Sequence, residues 1–246
     1  MLKKPPLGLF VTGTDTEVGK TYVAAAIARS LVAAGHRVGV YKPVASDCVS
    51  DGRQLVSEDA FALWEAATQP LSLDLVCPQR FQAPLAPHLS ARTEGRELDT
   101  QLLRTGISAW AEACEIIIVE GAGGLMSPIS DEEYIADLAY DFGYPIVIVA
   151  PNMIGVINQA LQTLITAACF RDGLNVAGVV LNDARRLDGD ASMESNRGQI
   201  ASRSLSPVIS RLRFNGDTFD DDVDWFEMAK TVKAVIEPSS GRVKSL

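Results

Sequence analysis

The sequence predicts a doubly wound α/β domain: a mainly parallel sheet with helices on both faces, of the P-loop NTPase type. Three observations carry that expectation. Short apolar runs alternate with helix-length amphipathic segments along the 246 residues. Several runs are almost wholly apolar, such as Ile116-Ile117-Ile118-Val119 and Ile146-Val147-Ile148-Val149, as parallel strands covered on both faces are. The first run leads into Gly13-Thr14-Asp15-Thr16-Glu17-Val18-Gly19-Lys20-Thr21 and then an alanine-rich stretch. A strand, a glycine-bearing loop ending in Gly-Lys-Thr and a helix make up a phosphate-binding loop.

Taken in order, the apolar runs place strands at 7–11, 37–43, 116–120, 145–150, 176–182 and 207–212. Helices are expected near 20–34, closed by Gly35, and near 57–68, 99–113, 133–142, 156–171 and 222–236. The Pro-rich stretch 83–88 reads as a loop, and 184–198 and 215–222 as surface loops or short caps. No composition break or repeat divides the chain, so residues 1–246 are expected to form a single domain.

Composition narrows the function classes. Apolar residues make up 47%, enough for a sizeable core, and the net charge is −9. That balance argues against nucleic acid or an anionic membrane as the main partner. No apolar run approaches the roughly 20 residues of a membrane-spanning helix, and the stretch after Lys3 and Lys4 is too short for a signal peptide. Cys48, Cys77, Cys114 and Cys169 lie far apart with no histidine at ligand spacing. Reduced thiols in a cytoplasmic protein are therefore expected, not a zinc site or a disulfide framework.

The first loop is built for an anion. Its backbone N–H groups and the positive end of the following helix dipole point at one place. Lys20 adds a mobile positive charge for the β- and γ-phosphates, and the Thr21 hydroxyl is a hard ligand suited to Mg²⁺. Five residues rather than the usual four separate Gly13 from Gly19.

In such a sheet, ligands bind outside the carboxyl ends of the strands, which makes the residues at those ends candidates. Lys42 ends the second run, either as a snorkelling surface lysine or as a second cation for a transferring phosphoryl group. Ser46, beyond Pro43, is either a turn serine or a donor to a substrate oxygen. Glu120 stands where phosphate-loop enzymes place a carboxylate serving Mg²⁺. Gly121, Ala122, Gly123 and Gly124 after it remove side chains, so backbone N–H groups can approach a ligand. Asp59, in Ser57-Glu58-Asp59, is either a helix-dipole complement or a metal ligand. Asn182, followed by Asp183, can read the edge of a base, and the Asn-Lys-Xaa-Asp pattern of GTPases is absent, which favours adenine. His88 is either a proton carrier or a loop-fixing residue. The helix opening at Gly155-Val156-Ile157-Asn158 has N–H groups free to hold a carboxylate.

Taken together, residues 13–21, Tyr-Lys-Pro-Val-Ala-Ser at 41–46, Ala-Pro-His at 86–88 and Glu-Gly-Ala-Gly-Gly at 120–124 resemble the dethiobiotin synthetases over about residues 8–183. The resemblance implies a homodimeric enzyme that turns 7,8-diaminononanoate, CO₂ and ATP into dethiobiotin, ADP and phosphate with Mg²⁺. It makes Thr16 a phosphate and substrate-site residue, and Glu17, Val18, Gly19, Lys20, Thr21 and Tyr22 the ATP loop. Asn182 and Asp183 become part of the nucleotide site, and Gly121 to Gly124 lie along the ligands. Thr21, Asp59 and Glu120 become Mg²⁺ ligands, Lys42 the catalytic lysine beside Lys20, and Ser46 a substrate contact. Gly155 to Asn158 hold the substrate carboxylate from the neighbouring subunit. Three features depart from the family: Asp47 replaces the usual glycine after Ser46, 207–214 lacks the usual Gly-Xaa-Ile-Pro, and the C-terminal third matches poorly.

The chemistry implied suits these residues. A carbamate formed on one amine attacks the γ-phosphate, and the second amine displaces phosphate to close the ureido ring. The nucleophile is already an anion, so the protein has only to place reactants and neutralise charge. A different class remains open: ATPase switches that position DNA or division proteins share the loop type. They carry a lysine five residues before the loop lysine, where this chain has Asp15. A degenerate relative that only senses nucleotide is the third possibility.

Overall fold

A computed structural model describes residues 2–186 and 189–230. Six parallel strands form one sheet: β1 (Leu7–Gly13), β2 (Val38–Tyr41), β3 (Ile116–Gly124), β4 (Ile146–Pro151), β5 (Val176–Asn182) and β6 (Val208–Leu212), in the order β6-β5-β4-β1-β3-β2. All six expected runs are strands, and four central ones are buried along almost their whole length, which is why they lack in/out alternation. The chain winds outward from β1 on one side to β2 and β3, then crosses back to β4, so the carboxyl end of β1 is a switch point.

Helix α1 (Lys20–Ala33) follows β1, and Val23 to Ala28 are all buried. Its alanines let it lie close against the sheet while α2 (Glu58–Ala66) covers its other side. Ser57 caps α2 by accepting from the Ala60 N–H at 3.2 Å, which turns the first-turn Asp59 toward the sheet edge. Short helices α3 (Leu73–Val76), α4 (Pro87–Thr93) and α5 (Thr100–Thr105) follow, then α6 (Ile135–Phe142), α7 (Val156–Cys169), α8 (Asn196–Ala201) and α9 (Trp225–Met228).

The structure corrects several expectations. Residue 88 lies in α4, not in a loop; Pro87 stands at its first turn, a position where proline starts helices well. The helix expected at 99–113 breaks into α5 and a 3₁₀ segment, Gly106–Trp110. There Gly106 meets the Tyr41 hydroxyl so closely that a Cβ would lie 2.4 Å from it. Val44–Ala45 pairs with Gln79–Arg80, and Val49–Ser50 with Leu55–Val56, ribbons too short to show a period. Of the helix expected at 222–236, Trp225–Met228 is helical, and 231–236 lie outside the described residues.

Trp110 heads the fully buried side chains, with its indole N–H donated to the Leu75 carbonyl at 3.3 Å. Trp110→Ala is expected to lower unfolding free energy by about 3–5 kcal/mol, read from urea denaturation. The Kd for ATP should stay unchanged, because the residue lies under α3, away from the first loop.

Candidate functional site

The first loop runs from β1 into α1 and folds over its own lysine. Lys20 Nζ donates to the Asp15 carbonyl at 3.2 Å, and the Thr16 N–H donates to Asp15 Oδ1 at 2.7 Å. Gly19 takes a left-handed conformation with φ 82° just before α1, and no side chain caps that helix. The free N–H groups of its first turn therefore face the loop's hollow, as phosphate binding requires. A Cβ at Gly19 would lie 2.1 Å from Asn182 Nδ2.

Beside the loop is a compact charged cluster. Lys42 is 3% exposed and donates to Glu120 Oε1 at 2.6 Å while pairing with Asp59 Oδ2 at 2.8 Å. The Thr21 hydroxyl donates to the same Glu120 Oε1 at 2.8 Å. Burial alone would depress the Lys42 ammonium, but Glu120 and Asp59 outweigh it and hold its pKa above the ordinary value. Burial would raise the Asp59 carboxyl, yet Lys42, with the Thr21 hydroxyl adding to it, holds it below. Lys20 is lowered, with desolvation the leading cause. Two lysines, two carboxylates and a hydroxyl thus share one corner of the sheet edge.

That corner fits a divalent cation. Glu120 is fully buried, and its Oε2 has no hydrogen-bond partner, an arrangement that costs free energy unless a cation or donor arrives. With Asp59 and the Thr21 hydroxyl it offers the hard oxygen donors Mg²⁺ takes, phosphate oxygens and water completing the shell. No group of three or more His, Cys, Asp and Glu that could hold a metal occurs among the described residues.

The other expected residues fall around this centre. Thr16, Glu17, Val18 and Asn182 line a cavity of about 310 Å³ with Asn152, Met153 and Gln159. Tyr22 reaches away from it, its hydroxyl donating to the Gly216 carbonyl at 2.5 Å. Gly121 is buried; Ala122, Gly123 and Gly124 continue β3 beside the loop. Gly124 spends its N–H on the Ser127 hydroxyl at 2.8 Å, so its small size serves close packing and that N–H is not open to a ligand. Ser46 is half-buried, and Asp47 after it has φ 59°, a left-handed backbone that explains why glycine suits that place. The Asp183 carboxylate is taken up by Arg211 and Asn152 and does not face the cavity. Gly155 and Asn158 are exposed at the start of α7, apart from the charged cluster.

Sequence reasoning missed Asn152 and Arg211, whose roles appear only when β4, β5 and β6 lie side by side. A larger hollow of about 710 Å³ lies at the far end of α1, lined by His36, Phe226 and several aspartates. It contains none of the loop or the lysines.

A parallel sheet carrying this loop at its switch point, with a lysine and hydroxyl aimed at one anion site, defines a phosphate-binding-loop nucleotide-binding protein. The family model described as an AAA domain matches residues 7–219. Among solved structures, the chloroplast FtsY of Physcomitrella patens superposes with a TM-score of 0.50 at 16% identity, over 87% of this chain and 61% of that one. A ParA family ATPase from Chlorobium tepidum superposes equally well, TM-score 0.50 at 15% identity and 86% of each chain. These likenesses show the fold.

The ATP-dependent dethiobiotin synthetase of Rhodopirellula baltica is 41% identical over 83% of this chain and 83% of its own length. That of Anaeromyxobacter dehalogenans is 40% identical over 85% and 91%. The chain belongs to the dethiobiotin synthetase family.

Proposed function

We infer that this chain forms dethiobiotin in biotin biosynthesis from 7,8-diaminononanoate, CO₂ and ATP, releasing ADP and phosphate. One observation carries the assignment to this site: Lys42, Asp59, Thr21 and Glu120 meet within hydrogen-bond distance beside the phosphate loop, in a chain similar to synthetases over most of its length. The lysine that such switches carry in the loop is Asp15 in this chain, and the ParA family likeness is one of fold alone.

The steps need placement and charge more than proton transfer. One amine attacks CO₂ and loses a proton, giving a carbamate. Its oxygen attacks the γ-phosphorus as ADP departs, and Lys20 and Lys42 offset the charge on the transferring oxygens. The second amine then attacks the carbamate carbon, phosphate leaves, and the cyclic urea closes. Mg²⁺, held by Thr21, Asp59 and Glu120, would supply further charge neutralisation at the phosphates. Thr16 and Ser46 would orient the substrate, holding the reacting atoms near attack distance. Residues Glu17 to Tyr22 would wrap the triphosphate, with Asn182 on the adenine.

The dimer belongs to the same inference. Gly155 and Asn158 stand beside Ile154, 75% exposed, and on a helix that also shows Ile165, 63% exposed. Burying that face against a second copy would bring the free end of α7 to a neighbour's substrate carboxylate. A cytoplasmic location is supported by four free cysteines, three of them buried, as reducing compartments keep thiols. No described helix is long and apolar enough to cross a membrane.

The deciding experiment incubates the chain with diaminononanoate, bicarbonate, ATP and Mg²⁺, following ADP and the mass of the cyclic urea. ADP and urea should appear in equal amounts. ADP without urea would return the chain to the nucleotide switches, and a monomer in sedimentation would remove the shared-site arrangement.

A further inference from the structure

We propose that the Lys42 ammonium holds the place of the divalent cation in the free chain, so that metal enters this corner only with a triphosphate that draws Lys42 away. The proposal rests on the assignment of Mg²⁺ to Thr21, Asp59 and Glu120, and goes on to say when those oxygens become available to it.

Lys42 Nζ stands between the two carboxylates, 2.6 Å from Glu120 Oε1 and 2.8 Å from Asp59 Oδ2. At those distances the ammonium fills the space that an ion bound to both oxygens needs. Two positive charges brought that close repel strongly where water is scarce. Water is scarce here, since the Lys42 side chain is 4% exposed and that of Glu120 is fully buried. Without the ammonium, two carboxylates would face each other in the same buried corner, a costly arrangement. Lys42 therefore gathers the oxygen ligands of the metal and keeps a bare ion out.

The neutralisation is incomplete, which makes it reversible. One positive charge faces two negative ones, and Glu120 Oε2 is buried with no partner. Its other oxygen is engaged twice, by Lys42 and by the Thr21 hydroxyl donating at 2.8 Å. Asp59 forms the open side of the corner, with its side chain 50% exposed. The Lys42 backbone is anchored, its N–H donating to the Val76 carbonyl at 2.8 Å, and buried Pro43 follows it. The exchange is thus a swing of the side chain alone. An arriving triphosphate offers Nζ anionic oxygens, and the two carboxylates are freed for the divalent charge that accompanies it. Lys20 has no such part, because its Nζ donates to the Asp15 carbonyl at 3.2 Å.

The test uses the full chain with neither nucleotide nor diamine. Urea unfolding is followed with and without Mg²⁺, since an ion that binds only the folded chain raises the midpoint. Lys42→Gln and Lys42→Met are expected to gain stability from the ion, while wild type and Lys20→Gln stay where they are. Direct titration with Mn²⁺ should show the Lys42 variants binding about tenfold or more tightly than wild type. If neither variant folds, the Mn²⁺ titration of wild type decides, with a Kd no tighter than about 1 mM expected. Tighter binding by wild type, or a rise in wild type or Lys20→Gln equal to that of the Lys42 variants, would overturn the exchange and leave the metal ligands standing. No rise in any of them would overturn both. Because no substrate is present, a failure to make the cyclic urea would count against the functional assignment alone.

Discussion

Replacing Lys42 with glutamine is expected to leave ATP bound while lowering kcat by about a hundredfold to a thousandfold, the scale of one lost donor to a developing oxyanion. The separation follows from geometry. On the proposed assignment the loop's own N–H groups and Lys20 would hold the triphosphate, whereas Lys42 follows a different strand and pairs with Glu120 and Asp59. Glutamine keeps a donor for one carboxylate and removes the charge. The Kd for ATP and single-turnover urea formation measure the two halves separately. Near wild-type turnover would remove Lys42 from the mechanism.

The same variant has a stability signature. A buried carboxylate left without its counter-charge costs on the order of 3 kcal/mol, so Lys42→Gln should unfold at lower urea. The sign in pH can be worked out. The raised Lys42 pKa contributes stability in full below its ordinary value of 10.5, lost as pH rises through the higher folded value. The depressed Asp59 pKa contributes above its ordinary value of 3.8, lost as pH falls through the lower folded one. The gap between wild type and variant should therefore be flat across neutral pH and close toward both extremes.

How much of this was legible in the sequence depends on how local each cause is. The six strands were visible because burial on both faces leaves a purely apolar run, and the phosphate loop because its residues act on a ligand from contiguous positions. Strand order was not, since no run encodes which neighbour it takes. Asp59 looked like a dipole complement because only Ser57 capping α2, and β2 ending opposite, reveal the pairing with Lys42. The glycines of 120–124 were read as openings to a ligand, whereas Gly124 serves Ser127 and the close approach of the first loop. The helix at Pro87 could have been found from proline's preference for a first turn. Asp183 could not have been, because Arg211 lies 28 residues further on.

Gly19→Ala is expected to damage nucleotide binding more than any other single-methyl change. Two separate costs fall on one atom. The φ of 82° is left-handed, which costs a residue with a Cβ about 1–2 kcal/mol. The new methyl would also sit 2.1 Å from Asn182 Nδ2, so the loop or the asparagine must move, and Asn182 is fixed to the Val18 carbonyl. ATP affinity should fall about a hundredfold or more as the N–H groups of the first turn leave their common focus. Adding Asn182→Ala separates the costs. Removing the amide relieves the clash but also removes the contact assigned to the base, so the double variant should lose less than the sum of the two single variants, with a coupling of about 0.5–3 kcal/mol in a cycle on the Kd for ATP. Strict additivity would mean that the loop and the end of β5 do not touch in solution.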